Sequence, residues 1–500
     1  MNPDGTKIRT IITQDAEVDD QNSLRHFLFY ANEVELQGII QTSSKFHWQG
    51  IPGAVKPEVA GKDDFSTIEQ SGPFDQPYRW PGTEWMSRVI DDYEKDYPRL
   101  IRHAEGYPTP AYLRSITKVG NIGYEGEMEA PSEGSELIRA RILDGDERPL
   151  YLQVWGGTNT IARALMDIEN AYRDTPEWPE LHRKITGKVV ITACGEQDPA
   201  YRQYVAESWP GIPFVKTLQM KSYAYPWFVM PEGESKDTLR AAFMKKEILA
   251  GRSALTDGYC TWLDGHEYEG EAADAQFGAN PNIVHEWFGA RMGMGFIPEK
   301  YDFLSEGDSP TYILLLPWGF RTLENFGWGG MAGRYHPVEG QYNSKGEKLN
   351  IWDVSLDHYT DREGQVSEVE SMWPYVADIQ RDFAARAQWA DAETFAEGEH
   401  APTLDIPEGT DFRAGAGETC TFHTRVDCPD GTGTEVSIRV YPEISAGWAA
   451  EAPICREGDA FTVTIPVSAA AGDELHLILK AQAGGRCRLV SYRHVILRVE

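Results

Sequence analysis

The stretch that most limits what this chain can become is Arg9 to Ala31, RTIITQDAEVDDQNSLRHFLFYA. Ile11, Ile12 and Thr13 are β-branched and favour a buried strand, while Leu24, Phe27, Leu28 and Ala31 recur at helical spacing. Asp15, Asp19 and Asp20 therefore fall where a strand hands over to a helix. In open α/β sheets that edge is where ligands bind. Acids gathered there repel one another unless a cation or hydrogen-bond donors compensate. Oxygen donors of this kind suit calcium or magnesium better than zinc. The alternative is that Asp19 and Asp20 only cap the helix that follows.

The strand–turn–helix pattern repeats. Val34 to Ser43 reads as a second strand, and the run SSKFHWQG after it would bring His47 and Trp48 to the edge that carries the acids. Leu150 to Val154 is a third strand, Gly156-Gly157 its turn, and a helix starts near Thr160. Paired glycines let backbone approach a ligand closely, and a helix start offers free N–H groups. No lysine follows these glycines, so the turn is not a Walker loop. Lys188 to Ala193 gives another strand, with Glu196, Gln197 and Asp198 in its turn and a helix over Tyr201 to Trp209. Helices are also expected at Trp85–Arg102, at Ser132–Leu143 and at Ser367–Trp389, the last kinked by Pro374. Residues 50–85 form a long Pro/Gly/Asp-rich excursion over the site. Asp308 lies in a turn ahead of the apolar run Tyr312 to Leu316, and His285 lies in a stretch of weak periodicity. The alternation predicts an α/β fold, an open, mostly parallel sheet with helices on both faces.

Five hundred residues exceed one simple core. The expected division is an α/β domain over 1–395, a linker over 396–412 and an antiparallel β-sandwich over 413–500. Its strands are Cys420–Val426, Val436–Tyr441, Phe461–Val467, Leu475–Ala481 and Leu489–Val499; lacking a clear aromatic platform, the sandwich is read as an accessory, bracing module. Hydrophobic content of 41% and charged content of 25% are those of a soluble globular protein. A net charge of −31 argues against nucleic acid and anionic membranes as partners. No apolar stretch approaches the roughly 18 residues of a spanning helix. The start, MNPDGTKIRTII, lacks a basic region followed by an apolar run, so the chain as written reads as cytoplasmic, a trimmed leader being the alternative. Six cysteines show no C-x-x-C spacing; they read as buried thiols, or as pairs among the four in the last 81 residues if the chain is exported. Fifteen tryptophans and 23 tyrosines lean toward a carbohydrate partner, because aromatics stack on sugar rings as well as filling cores.

The run T-Q-D-A-E-V-D-D resembles the nucleoside hydrolase signature D-x-D-x-x-x-D-D, and Gly-Gly-Thr-Asn resembles that family's G-P-L-T-N turn. The runs DAEVDDQNSLRHFL, SSKFHWQG, SEGSELI, VWGGTNTIARAL, EGDSP and SYRHVILRV together resemble the branch described as cellulose-binding proteins with a nucleoside-hydrolase-like domain, over nearly the whole chain. The resemblance implies a calcium ion, with magnesium as the alternative, held by Asp15, Asp20, Thr158 and Asp308. It implies Asp15 as the base acting on a metal-bound water, Asp19 as a partner of a sugar hydroxyl, and Asn159 at the family's turn asparagine. Glu196, Asp198, His47 and His285 are candidates for leaving-group acid or substrate grip, with Trp48 and Gln197 as further substrate contacts. Thr13 replaces the first acid of the signature, Glu17 its glycine, and Gly307 stands where many nucleoside hydrolases have a histidine. The resulting expectation is a calcium-dependent glycoside hydrolase acting on a small glycoside or oligosaccharide. The alternatives are a non-catalytic binder of cellulose-like glycans and an N-ribosyl nucleoside hydrolase, with a homo-oligomer left open.

Overall fold

The computed structural model describes residues 5–55, 72–251, 253–266 and 298–500. Strands β1 (Ile8–Gln14), β2 (Val34–Gln41), β3 (Thr117–Val119), β4 (Leu150–Val154), β5 (Val189–Ala193), β6 (Phe214–Lys216), β7 (Tyr335–Pro337) and β8 (Ile351–Val354) make one sheet. Their order is β3-β2-β1-β4-β5-β6-β8-β7, parallel throughout except for β7 against β8. Strands covered on both faces need apolar side chains on both, which is why β1 and β4 are buried at every residue. Ile12 and Ile8 point into one apolar layer and Ile11 into the other. Helices α1 (Val18–Leu28) and α2 (Trp85–His103) pack in the first layer; α4 (Glu133–Ile142) and α5 (Asn159–Tyr172) pack in the second, α3 being the short Pro110–Ile116. The strand order reverses between β1 and β4, so a crevice opens beyond their carboxyl ends. Asp15 follows β1, and Gly156-Gly157 follow β4. Both sequence-marked turns therefore face that one crevice.

Chemistry also explains where the expected elements change. The segment expected as one helix over Ser367–Trp389 opens instead as strand β10 (Val366–Glu370), antiparallel to β9 (Leu356–Thr360). Its burial alternates, with Val366 and Glu368 exposed and Ser367 and Val369 turned inward, although the two valines stand three apart; Pro374 sits in a 3₁₀ turn over Trp373–Tyr375 that precedes the next helix, Val376–Trp389, rather than kinking it. The helix expected at Tyr201–Trp209 begins with a π turn over Tyr201–Val205. Cys420–Val426 divides at Thr424 into β13 (Thr419–His423) and β14 (Arg425–Asp427), which pair with different strands. The segment 396–412 carries β11 (Thr403–Asp405), the partner of β14, and the start of β12 (Asp411–Ala414).

The remaining strands are β15 (Thr434–Val440), β16 (Ile454–Glu457), β17 (Ala460–Thr464), β18 (Glu474–Ala483) and β19 (Val490–Val499). They form a four-stranded sheet β12-β19-β18-β15 and a three-stranded sheet β13-β17-β16 around Phe422, Val463, Leu477 and Leu497. All pairings in them are antiparallel except β12 with β19. This sheet pair is fastened to the Val376–Trp389 helix. Tyr492 Oη donates to Asp378 Oδ2 at 2.5 Å, Lys480 Nζ lies 2.7 Å from the same oxygen, and Ile478 and Val490 join the apolar layer of that helix. None of the six cysteines is in a disulfide. No helix among the described residues is long and apolar enough to cross a membrane.

Candidate functional site

The site grows from the turn between β1 and α1. Ala16 has a left-handed backbone, φ 76°, a conformation that costs a side-chain-bearing residue about 1–2 kcal/mol. Glu17 stands at the helix N-cap but makes no side-chain capping bond, so the acids here are not spent on capping. Asp20 Oδ1 accepts the Asp15 backbone N–H at 3.1 Å, folding the turn back on itself. Asp15 and Asp20 are 0% and 1% exposed, and Asp308 is 1% exposed. Charges buried to that degree are stable only when paired, bonded or metal-bound.

Close approach of neighbouring turns closes the site. A Cβ at Gly156 would stand 2.7 Å from Asp15 Cβ, and one at Gly157 would collide with the Ser43 carbonyl and the Asp198 carboxylate. Only glycines let the ends of β1, β2, β4 and β5 meet here. Asp308 enters from a distant loop: a Cβ at Gly307 would lie 3.3 Å from Asp19 Oδ2, and Ser305 Oγ donates to that oxygen at 3.2 Å. Gly307 is therefore packed where a histidine side chain would have little room.

Burial, then the charge of Asp15, pushes Asp20 well above the usual carboxylate range and Asp19 up to about 6. Burial and Asp19 raise Glu17 to about 8. Asp308 also lies high, through burial and then Asp19. Asp15 is the exception. Burial pushes it up, but His47, Asp20 and Ser44 outweigh burial and hold it low. Among the described residues, no hydrogen-bond donor closes on either carboxylate oxygen of Asp15, on Asp308 Oδ2 or on Thr158 Oγ1. His47 Nδ1 stops 3.5 Å from Asp15 Oδ2. The Thr158 carbonyl accepts one bond, from Ala162 N–H at 2.9 Å, which leaves a second lone pair. Buried, unpartnered carboxylate oxygens are donors that suit a hard divalent cation, as main-chain carbonyls are. Of the four residues expected to hold the ion, Asp15 and Asp308 meet that criterion, Thr158 offers its carbonyl, and Asp20 already accepts the Asp15 N–H through Oδ1.

The other expected residues have definite work. Glu196 is paired with Arg202 (Oε1 to Nη2, 2.6 Å) and Lys216 (3.0 Å). Asp198 accepts the backbone N–H groups of Asn159 (3.0 Å) and Ala200 (3.1 Å), so it anchors the start of α5; burial raises it to about 7 against those bonds. Both carboxylates bond framework groups. Asn159 donates to Ser43 Oγ, Asn121 O and Glu127 O and accepts from Thr42, which places its amide in the frame as well. Gln197 Nε2 donates to the carbonyls of Trp155 and Cys194, and its Oε1 is left without a donor. Trp48 is buried against Tyr78 and Phe74 and donates to Pro73 O and Gln76 O. His285 lies outside the described residues.

Three contributors escaped sequence reasoning. The Cys194 thiol, raised by burial and then by Asp308, stands beside the Asp308 carboxyl; Ser305 holds Asp19; Tyr225 Oη donates to Glu17 Oε1 at 3.3 Å. Only Ser305 carried a signal, its place three residues before Asp308 in SEGDSP.

A doubly wound sheet with an acid-lined crevice at its reversal point defines a protein with a nucleoside-hydrolase-like fold. More particularly, the chain belongs to the family described as cellulose-binding Sde182, nucleoside hydrolase-like domain, which matches residues 9–335; residues 424–499 match the cellulose-binding protein Sde0182 C-terminal domain. Across 99% of this chain and 100% of its own, the structure of a nucleoside hydrolase-related hypothetical protein from Saccharophagus degradans, associated with carbohydrate metabolism, superposes with a TM-score of 0.70 at 23% identity. A plant nucleoside hydrolase, PpNRh1, aligns over 76% of this chain and 99% of its own at 9% identity, with a TM-score of only 0.33. No functionally curated protein matches the chain.

Proposed function

We propose that this protein hydrolyses a glycosidic bond of a small glycoside or oligosaccharide in the acid crevice, with a divalent cation, calcium before magnesium, held by Asp15, Asp20, Thr158 and Asp308. The observation that carries this reading is the pair of buried, unpartnered oxygens on Asp15 facing the reversal point of the sheet. The family's description as cellulose-binding supports a carbohydrate as the ligand. When bound, a hard cation lowers the pKa of a coordinated water and fixes vicinal sugar hydroxyls. Asp15, kept low by His47, Asp20 and Ser44, accepts a proton from an attacking water. Asp19, held by Ser305, is placed to accept a hydrogen bond from a sugar hydroxyl. Carboxylates beside the anomeric carbon favour a transition state with oxocarbenium character. Attack by water without a covalent intermediate inverts the anomeric centre.

The test is product release from a panel of nucleosides, aryl glycosides and oligosaccharides, with and without chelator. Turnover lost to chelator and restored by calcium supports the reading; chelator-insensitive turnover refutes the cation's role. Gly307 favours a second reading, non-catalytic carbohydrate binding, because no side chain stands before Asp308 to protonate a leaving group. Glycan binding that survives Asp15→Asn, with no product from any substrate, would select it.

A further inference from the structure

Two sets of ligand atoms overlap at the β1–α1 turn. Those of Asp15, Glu17 and His47 lie within 4.8 Å of one another, and so do those of Glu17, Asp19 and Asp20. Glu17 belongs to both sets. It follows the strained Ala16, and the left-handed turn there returns the Glu17 carboxylate to the cluster, where Tyr225 Oη holds one oxygen at 3.3 Å. Backbone strain persists only where the surroundings enforce it, and it gathers at functional sites. Asp15 supplies an independent pointer, since it is fully buried with both oxygens unpartnered.

Charge makes the same demand. Asp15, Glu17, Asp19, Asp20 and Asp308 put five carboxylates in one crevice, with Arg79 facing Glu17; when all five are ionised, one divalent ion leaves three of their negative charges unmatched by metal charge. Two ions would leave one. Paired metal sites about 3.5–4 Å apart share bridging carboxylates in this way. The two positions differ in donor type: Asp15, Asp20, Thr158 and Asp308 offer only oxygen, whereas the Asp15–Glu17–His47 set adds an imidazole, which suits zinc better than calcium; Mn²⁺ serves as its paramagnetic probe.

We infer that Asp15, Glu17 and His47 form a second cation position beside the calcium-type site, one that takes a borderline divalent transition ion. The inference rests on the reading of the acid turn as a cation site, but it stands or falls on different residues. The test is isothermal titration of the chelator-stripped full chain with Mn²⁺ and with Zn²⁺, in the presence of saturating Ca²⁺. The wild type should take up one Mn²⁺ or Zn²⁺ per chain. Glu17→Gln and His47→Gln should each weaken that event by at least the roughly 10- to 100-fold that loss of a supporting group causes, and far more than they weaken the calcium event, which loses no ligand. Asp20→Asn should abolish the calcium event. In pulsed EPR of the Mn²⁺-loaded chain, coupling to an imidazole nitrogen should be present and should vanish in His47→Gln. Circular dichroism identifies any variant that fails to fold, and the other variant and the EPR signal then decide. A calcium-loaded wild type that takes up no Mn²⁺ or Zn²⁺, or unchanged affinity in the folded variants, overturns this inference and leaves the calcium site standing. Absence of the calcium event as well removes both.

Discussion

Glu306 and Asp308 are two residues apart and equally buried, yet they sit in opposite environments. Glu306 is surrounded by partners: His26 Nδ1 at 2.7 Å, Ser309 Oγ at 2.5 Å and Tyr259 Oη on its other oxygen. Asp308 faces Asp19, Asp15 and Glu17 and has an oxygen with no donor. The chain supplies hydrogen bonds to a buried carboxylate where it needs a frame, and withholds them one short step away. A buried acid left without donors is costly, so its retention points to a ligand that completes it.

The comparison is broken most severely by losing Asp15. Asp15→Asn should cut hydrolysis by about 10³-fold or more, on the scale of losing a general base, with an unchanged circular dichroism spectrum. Equal turnover in wild type and variant would remove Asp15 from the chemistry. Next in size is Glu306→Ala, which leaves His26 and Tyr259 facing an empty carboxylate position. It should cost about 3–5 kcal/mol in chemical denaturation, the scale of a broken buried pair. Asp20→Asn should do the reverse in cation-free protein, raising its melting temperature by removing repulsion with Asp15 and Asp308.

The same repulsion sets a pH dependence. Asp19 and Glu17 titrate near 6 and 8 in the folded chain, above their ordinary 3.8 and 4.5. The folded state then binds more protons than the unfolded one, so stability falls as pH rises through that window. Melting temperature without cation should fall between pH 4 and pH 8, and calcium should flatten the slope; a slope of the opposite sign would contradict the repulsion. The smallest change sharpens the contrast from the join between the C-terminal sheets and the Val376–Trp389 helix. Tyr492→Phe removes a hydrogen bond to Asp378 and should cost about 1.5 kcal/mol in denaturation, with hydrolysis unchanged.

How much of this could be read from residues alone follows from the range of the forces involved. The Leu150–Val154 strand is found where its apolar run puts it, because a strand buried on both faces writes itself as an unbroken hydrophobic stretch. The convergence of Asp15 with Gly156 follows from the strand order, which two similar turns only suggest. Glu196 was ambiguous for a different reason. Its partner Arg202 lies within the π turn Tyr201–Val205 and Lys216 on another strand, so nothing adjacent in sequence marks the carboxylate as paired. Trp48 misled because an aromatic beside a polar turn looks the same whether it meets a sugar or Tyr78. Val366–Glu370 reads as helix when Val369 is counted with Met372, Trp373 and Val376; antiparallel pairing with Leu356–Thr360, which nothing local announces, makes it a strand.

The central claim, that oxygens from separate loops converge on one divalent ion, is tested most directly by equilibrium dialysis of ⁴⁵Ca²⁺ against the chelator-stripped full chain and its Asp308→Asn variant. Saturable binding in the wild type that is lost or strongly weakened in Asp308→Asn is the predicted result. No saturable binding in the wild type, or the same binding in both, would contradict it.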